Sequence, residues 1–167
     1  VRGRKVLVRA DLNVPMRDGN ISDTTRIDRS LPTISDLIEK GAKVIVMSHF
    51  GRPKGQVVPE MSLKPVAAAL EKASGKRVVF ASDCIGDGAE KAISAANDGE
   101  IVMLENLRFH KGEEANDADF GAALAAVGDV YVNDAFSASH RSHASIVGLP
   151  QLLPHAAGPA LVAELIA

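Results

Sequence analysis

The sequence predicts an α/β protein in which helices cover both faces of a mainly parallel sheet. Residues 44–47 form an apolar run with β-branched side chains and no polar alternation, the pattern of a strand that is buried on both faces. Aromatic residues make up only 4% of the chain and tryptophan is absent, so the core must consist mainly of Ala, Val, Leu and Ile. That composition favours helices on a parallel sheet over an aromatic-rich β-sandwich. The length of 167 residues and the 46% hydrophobic content fit a single domain.

Strand and helix patterns alternate along the chain, which predicts a three-layer αβα order with a Rossmann-like, doubly wound sheet. Apolar runs predict strands at 5–10, 43–48, 77–81, 100–104 and 129–132. Helical spacing of apolar residues predicts helices at 28–40, 62–73, 83–96 and 116–127. Asp18-Gly19 predicts a tight turn, Ser62 an N-cap, and Gly41 and Gly75 helix ends. We expect an acidic loop at 111–117, loops from 144 onward, and a helix beginning near 158.

Composition and the termini exclude several classes of protein. A formal net charge of -2 provides no basic field for nucleic acid. The single cysteine, Cys84, rules out an internal disulfide and argues against a structural metal site of the thiolate type, so we expect no metal in this chain. No apolar segment reaches the length of a membrane span, and the N-terminus lacks the apolar region of a signal peptide. The single cysteine and the missing signal peptide predict a cytoplasmic location. Because the chain does not begin with Met, we expect it to be a piece of a longer protein.

Polar side chains follow four of the five predicted strands. They are Asp11 and Asn13 after the first, His49 and Arg52 after the second, Arg108 and His110 after the fourth, and His140, Arg141 and His143 after the fifth. Ligands of open α/β sheets bind beyond the carboxyl ends of the strands, so we expect these residues to meet at one edge. Arg26, in the loop entering the first helix, reaches the same edge. Arginine matches carboxylate and phosphate oxygens with a planar fork of donors, which predicts a small, multiply charged anion as ligand.

Each of these positions also has an ordinary structural explanation. Gly51 and Pro53 can simply turn the chain, Arg26 can be a helix-entry residue, and His110 and His143 can be solvated surface groups. The sequence contains no Gly-x-x-x-x-Gly-Lys-Ser/Thr loop and no pattern typical of a covalent nucleophile. A cluster of arginines without a nucleophile suits phosphoryl transfer, in which positioning and charge neutralisation supply most of the catalysis.

Four segments resemble the phosphoglycerate kinase family and occur in the same order along the chain. They are Arg9-Ala10-Asp11-Leu12-Asn13-Val14-Pro15, Ser48-His49-Phe50-Gly51-Arg52-Pro53, Leu104-Glu105-Asn106-Leu107-Arg108-Phe109-His110, and Asn133-Asp134-Ala135-Phe136 through His140-Arg141-Ser142-His143. The chain is similar over its whole length to the N-terminal, substrate-binding lobe of that two-lobed kinase. Leu12 stands where the family has phenylalanine, and 137–139 stand where Gly-Thr-Ala is common.

The resemblance implies that 3-phosphoglycerate or 1,3-bisphosphoglycerate binds at this edge. The residues implied to hold it are Asp11, Asn13, Arg26, His49, Arg52, Arg108 and Arg141. Asp11 and Asn13 would hold the carboxyl and hydroxyl end, while three arginines and His49 would clamp the phosphate that does not react. Arg26 is the implied catalytic residue, facing the phosphoryl group that is transferred. His140 and His143 are implied to lie behind these groups or near the hinge.

The resemblance also implies a division of labour between two lobes. Residues 1–157 would form the phosphoglycerate-binding domain, and 158–167 would begin the interdomain helix region. Mg²⁺ with ADP or ATP would bind a C-terminal lobe, whose Gly-rich loops do not occur before Ala167. We therefore expect a monomeric fragment that binds substrate and does not catalyse transfer by itself. Two alternatives are a non-catalytic α/β module that binds a phosphorylated metabolite and a structural interaction domain.

Overall fold

A six-stranded parallel sheet forms the centre of the molecule. It contains the five strands that the sequence predicts and one more. The computed structural model describes residues 3–134, 144–145 and 152–153, with the backbone of 155–157. The sheet strands are β1 (Lys5–Ala10), β4 (Lys43–Met47), β5 (Val78–Phe80), β6 (Ile101–Met103), β7 (Val130–Asp134) and β8 (His155–Ala157). They lie in the order β5-β6-β4-β1-β7-β8, and every neighbouring pair is parallel. A separate hairpin pairs β2 (Met16–Arg17) with β3 (Asn20–Ile21).

Helices cover both faces of this sheet, which confirms the three-layer prediction. They are α1 (Thr25–Glu39), α2 (Lys64–Ser74), α3 (Gly86–Ala95), α4 (Lys111–Glu114) and α5 (Ala118–Ala125), with short 3-10 turns at Pro59–Met61 and Leu107–Phe109. Alternate residues of β1 enter two separate cores: Val6 and Val8 pack with residues of α1 and α2, whereas Leu7 packs with residues of α3 and α5. Because side chains alternate along a strand, both faces of β1 are buried.

The predicted turns appear with the backbone geometry that they require. Asp18 and Gly19 have φ values of 53° and 78°, and this pair of positive angles suits the two-residue turn between β2 and β3. Gly75 has φ 70° and ends α2, where it adopts the left-handed conformation common after helices.

Several element boundaries differ from the prediction. Helix α5 begins at Ala118 rather than at 116, because the Asp117 side chain accepts a hydrogen bond from the Phe120 N–H (2.9 Å) and caps the helix there. Helix α3 begins at Gly86 rather than at 83. Helix α1 begins three residues before the predicted start, and Leu63 rather than Ser62 occupies the N-cap position of α2.

Several elements were absent from the prediction, among them the short strands β2 and β3 of the hairpin. Helix α4 lies within the expected acidic loop, and β8 lies where only loops were expected. The His-Ala-Ala sequence of β8 has little intrinsic strand preference, so its pairing with β7 decides its conformation. The helix predicted from 158 lies outside the described residues.

Sheet order determines which loops meet. Strands β6, β4, β1 and β7 are consecutive neighbours, so the segments that follow them leave the same edge of the sheet side by side. Among the described residues, no helix has both the length and the apolar character needed to span a membrane.

Candidate functional site

Three strand-end loops are joined at the carboxyl edge by hydrogen bonds around Gly51. The Gly51 N–H donates to Asn13 Oδ1 (2.9 Å), which connects the loop after β4 to the loop after β1. The Gly51 carbonyl accepts from Arg108 Nη1 (3.2 Å), which connects it to the segment after β6. Gly51 has φ +63°, and an added Cβ would meet the Met61 sulfur at 3.1 Å, so glycine suits both the backbone conformation and the space. The predicted convergence of these loops is confirmed.

Arg26 lies beside the loop after β1. It belongs to the first turn of α1 rather than to the preceding loop, and its Nη1 is 3.4 Å from Asp11 Oδ1. The same nitrogen donates to the Asn13 carbonyl. The Arg26 side chain is 44% exposed, whereas that of Asp11 is 18% exposed. Nη1 of the guanidinium is therefore held by Asp11 and Asn13, while much of the side chain faces solvent.

Asn106 holds the segment that carries Arg108. Its Oδ1 accepts from the N–H groups of Phe50 (3.2 Å) and Arg108 (3.0 Å). Its Nδ2 donates to the carbonyls of Phe50 (2.7 Å) and Met61 (3.0 Å). Arg108 itself lies on the 3-10 turn Leu107–Phe109 and is buried. One buried amide thus fixes the backbone beneath the arginine.

His49 is positioned by Arg9. The two side chains are both buried, with Arg9 Nη2 2.8 Å from His49 Nδ1. A guanidinium can only donate hydrogen bonds, so Nδ1 must accept and the proton of the neutral ring must lie on Nε2. This pairing gives His49 a donor nitrogen that does not face Arg9.

A buried ionic network lies behind His49. Arg9 Nε donates to Ser145 Oγ (2.9 Å), its Nη1 donates to the Ala10 carbonyl (2.7 Å), and its Nη2 is 3.9 Å from Glu113 Oε2. Glu113 also accepts from the Ser145 N–H (2.8 Å) and from the Ser145 hydroxyl. The side chains of Arg9 and Glu113 are both fully buried. Such a pair is stable only when each charge keeps its partners.

Sequence reasoning assigned no role to Arg9, Asn106 or Glu113. Arg9 did carry a signal, because an arginine inside an otherwise apolar strand is rarely buried without an acidic partner. Glu113 lies in an acidic stretch that was expected to be a loop, and nothing in its local sequence marks it as buried.

Other predicted residues have different positions. Arg52 is exposed at the same edge. His110 does not join the cluster, because its Nε2 lies 2.7 Å from Asp83 Oδ1, beyond the end of β5. Arg141, His140 and His143 lie outside the described residues. Among the described residues, hydrogen bonds join Asp11, Asn13, Arg26 and Arg108 around Gly51. These hydrogen bonds do not include His49 or Arg52, which follow β4 at the same edge.

Comparisons with known proteins agree with one family. A sequence model described as phosphoglycerate kinase matches residues 1–167. Phosphoglycerate kinase of Rhizobium meliloti (strain 1021) is 61% identical over 165 residues, which are 99% of this chain and 41% of that protein. The chain thus spans about two fifths of the length of such relatives.

Solved structures show the same relationship. Phosphoglycerate kinase from Coxiella burnetii matches with a TM-score of 0.85 and 37% identity over 98% of this chain and 41% of that one. The enzyme from Pyrococcus horikoshii OT3 matches with a TM-score of 0.86 and 33% identity, over 99% of this chain and 42% of that one. Sequence and fold agree, and the chain belongs to the phosphoglycerate kinase family.

Proposed function

We propose that this chain is the phosphoglycerate-binding lobe of a kinase that transfers the acyl phosphate of 1,3-bisphosphoglycerate to ADP, reversibly, in glycolysis. The observation that carries the proposal is the hydrogen-bonded link from Asn13 through Gly51 to Arg108. It holds polar groups from three strand ends at one edge, where a ligand of an α/β sheet binds. Family membership supports the same assignment. In this proposal residues 1–157 form the domain and 158–167 lead to a second lobe.

The contacts suggest a role for each group. Asp11 and Asn13 hold the carboxyl and hydroxyl end of the substrate. Arg52, Arg108 and Arg141 clamp the phosphate that does not react, and His49, which Arg9 holds in position, assists them. These residues orient the substrate and neutralise its charge.

Arg26 is the proposed catalytic residue. Its half-exposed guanidinium is anchored by Asp11 and by the Asn13 carbonyl, so its remaining donors can face the phosphoryl group in transfer. Charge stabilisation of this kind supplies most of the catalysis in phosphoryl transfer. The group released from the acyl phosphate is a carboxylate, and no general base is needed for its departure. In the proposal His140 and His143 lie behind the substrate-binding groups.

Two carboxylates of this edge, those of Glu105 and Glu113, are not available as ligands for Mg²⁺ with a nucleotide. Glu105 accepts hydrogen bonds from Ser62 Oγ (2.7 Å) and the Leu63 N–H (2.8 Å), and Glu113 is engaged by Ser145 and Arg9. These carboxylates are committed to internal contacts, and Mg²⁺ requires free oxygen ligands. We assign the nucleotide and its ion to a C-terminal lobe of the whole protein.

Calorimetric titration of 3-phosphoglycerate into the purified chain tests this proposal. At fixed ionic strength we expect binding that inorganic phosphate does not match, and loss of that preference in Arg108→Ala. Arg77→Ala is the matched control, because Arg77 is an exposed arginine paired with Glu100 at the opposite end of the strands. The chain alone should not phosphorylate ADP. Equal binding of phosphate and 3-phosphoglycerate by a folded chain would contradict the substrate assignment.

A further inference from the structure

A second cluster of chemically active side chains lies beyond the end of β5. We propose that Asp83, Cys84 and His110 form a binding site for a zinc-like divalent metal ion. One ligand atom from each residue, a carboxylate oxygen, the thiol sulfur and an imidazole nitrogen, lies within 4.8 Å of the other two. The expectation from the sequence was no metal, because a single cysteine argues against a thiolate site. The fold brings Cys84 and His110 together from distant positions along the chain.

The donor set determines which ions fit. Thiolate, imidazole and carboxylate together are typical of Zn²⁺, which also accepts a water as its fourth ligand. Mg²⁺ and Ca²⁺ prefer sites made only of oxygen atoms. The proposed site is therefore selective against the ion that accompanies the nucleotide in the proposed function.

The distances require only a small adjustment on binding. Bonds of about 2.0–2.3 Å from Zn²⁺ place neighbouring ligand atoms of a tetrahedral site about 3.3–3.8 Å apart. His110 Nε2 and Asp83 Oδ1 are 2.7 Å apart and share a hydrogen bond. An ion entering between them takes the place of that shared proton, so the carboxylate oxygen and the imidazole nitrogen each have a polar partner with and without the ion.

Access to the site is open on one side. The side chains of His110 and Asp83 are 32% and 42% exposed, whereas Cys84 is completely buried. A cysteine binds a metal ion as the thiolate, so metal binding releases the Cys84 proton to solvent.

Both halves of the site are held by close packing. A Cβ added to Gly88 of α3 would lie 2.7 Å from Ser82 Oγ and 3.1 Å from Asp83 Cβ, so α3 packs closely against the segment that carries Asp83. The His110 ring packs against Phe120, with ring centroids 5.2 Å apart. Ligands fixed in this way lose little freedom when an ion binds.

The proposed metal site is distinct from the candidate substrate site around Gly51. Arg108 reaches Gly51, whereas His110, two residues later, reaches Asp83 at the end of the edge strand β5. The two sites are therefore tested independently, and failure of one leaves the other unaffected.

Cobalt titration of the purified chain provides a direct test. Cys84 is the only cysteine of the sequence, so a thiolate-to-cobalt charge-transfer band in the near ultraviolet reports this site alone. We expect one Co²⁺ per chain, displacement by Zn²⁺, and no displacement by excess Mg²⁺. His110→Gln should weaken cobalt binding about tenfold or more, and Cys84→Ser should abolish the band. Asp98→Asn, which removes an exposed carboxylate from the turn before β6, should leave binding unchanged.

Two results would overturn the proposal. One is the absence of the band when far-ultraviolet circular dichroism shows the chain to be folded. The other is equal cobalt affinity in His110→Gln and the unchanged chain. Should the buried Cys84→Ser variant fail to fold, the partly exposed His110→Gln and Asp83→Asn variants decide the question without it.

Discussion

Replacing Arg9 with methionine should strongly destabilise the chain. The substitution keeps an unbranched side chain but removes the charge and the hydrogen bonds to Ser145, Ala10 and His49. It leaves the Glu113 carboxylate fully buried without its cationic partner. Arg9→Met is thus a test of the ionic network behind the candidate site.

The expected loss follows from the geometry. At the 3.9 Å separation of Arg9 Nη2 and Glu113 Oε2, and with an effective dielectric constant of about 20, the attraction is about 4 kcal/mol. Removing one partner of a buried pair costs about 3–5 kcal/mol, because the remaining charge stays buried. Domains of this kind are stable by only about 5–15 kcal/mol, so the loss is a large fraction of the free energy of unfolding.

Urea unfolding followed by circular dichroism measures this loss. Arg77→Met is the control: Arg77 is only 3.3 Å from Glu100, yet its side chain is 55% exposed, and such a surface pair contributes about 1 kcal/mol or less. The double variant Arg9→Met with Glu113→Gln should recover more than half of the loss, since the orphaned charge is gone. If Arg9→Met costs no more than Arg77→Met, the buried network does not stabilise the fold and our reasoning is refuted.

Three further predictions concern other contacts. Asn106→Ala removes four hydrogen bonds to backbone groups. It should lower the free energy of unfolding by about 2–4 kcal/mol and weaken 3-phosphoglycerate binding. Unchanged stability together with unchanged binding would contradict the positioning role of Asn106. Burial raises the pKa of the hydroxyl of Tyr131, the only tyrosine, above its ordinary value of 10.0, so the unfolded chain loses this proton before the native chain does. The free energy of unfolding should therefore fall as pH rises through 10, and Tyr131→Phe should reduce this fall. Tyrosinate absorbance should appear only when the chain unfolds. An absorbance that rises while the chain stays folded would contradict this prediction. Gly75→Ala should lower the free energy of unfolding measured in urea by about 1 kcal/mol, because φ is +70° at this position. An added Cβ meets no atom within 4 Å, so the cost is one of backbone conformation. An unchanged urea midpoint would show that the helix end relaxes.

The spacing of apolar residues along the sequence was sufficient to predict most strands of the sheet and the edge at which the candidate site lies. Local periodicity records burial, so β1 and β4 were recognised from apolar runs and the helices from their spacing. The position of Asp11, Asn13 and His49 directly after those strands then placed them at one edge, because parallel strands end together. The same reasoning placed Arg108 at this edge, and Arg26 was placed there by its position at the start of the first helix. The contacts of these two arginines were not predicted.

Only the tertiary structure decided which side chains meet. Arg9 bonds Ser145, 136 residues away along the chain, and it reaches Glu113 on a helix that local sequence did not reveal. His110, expected beside Arg108, instead meets Asp83. Periodicity reports that a residue is buried or exposed, but a charged side chain selects its partner by distance and desolvation in the folded chain, which no local pattern contains.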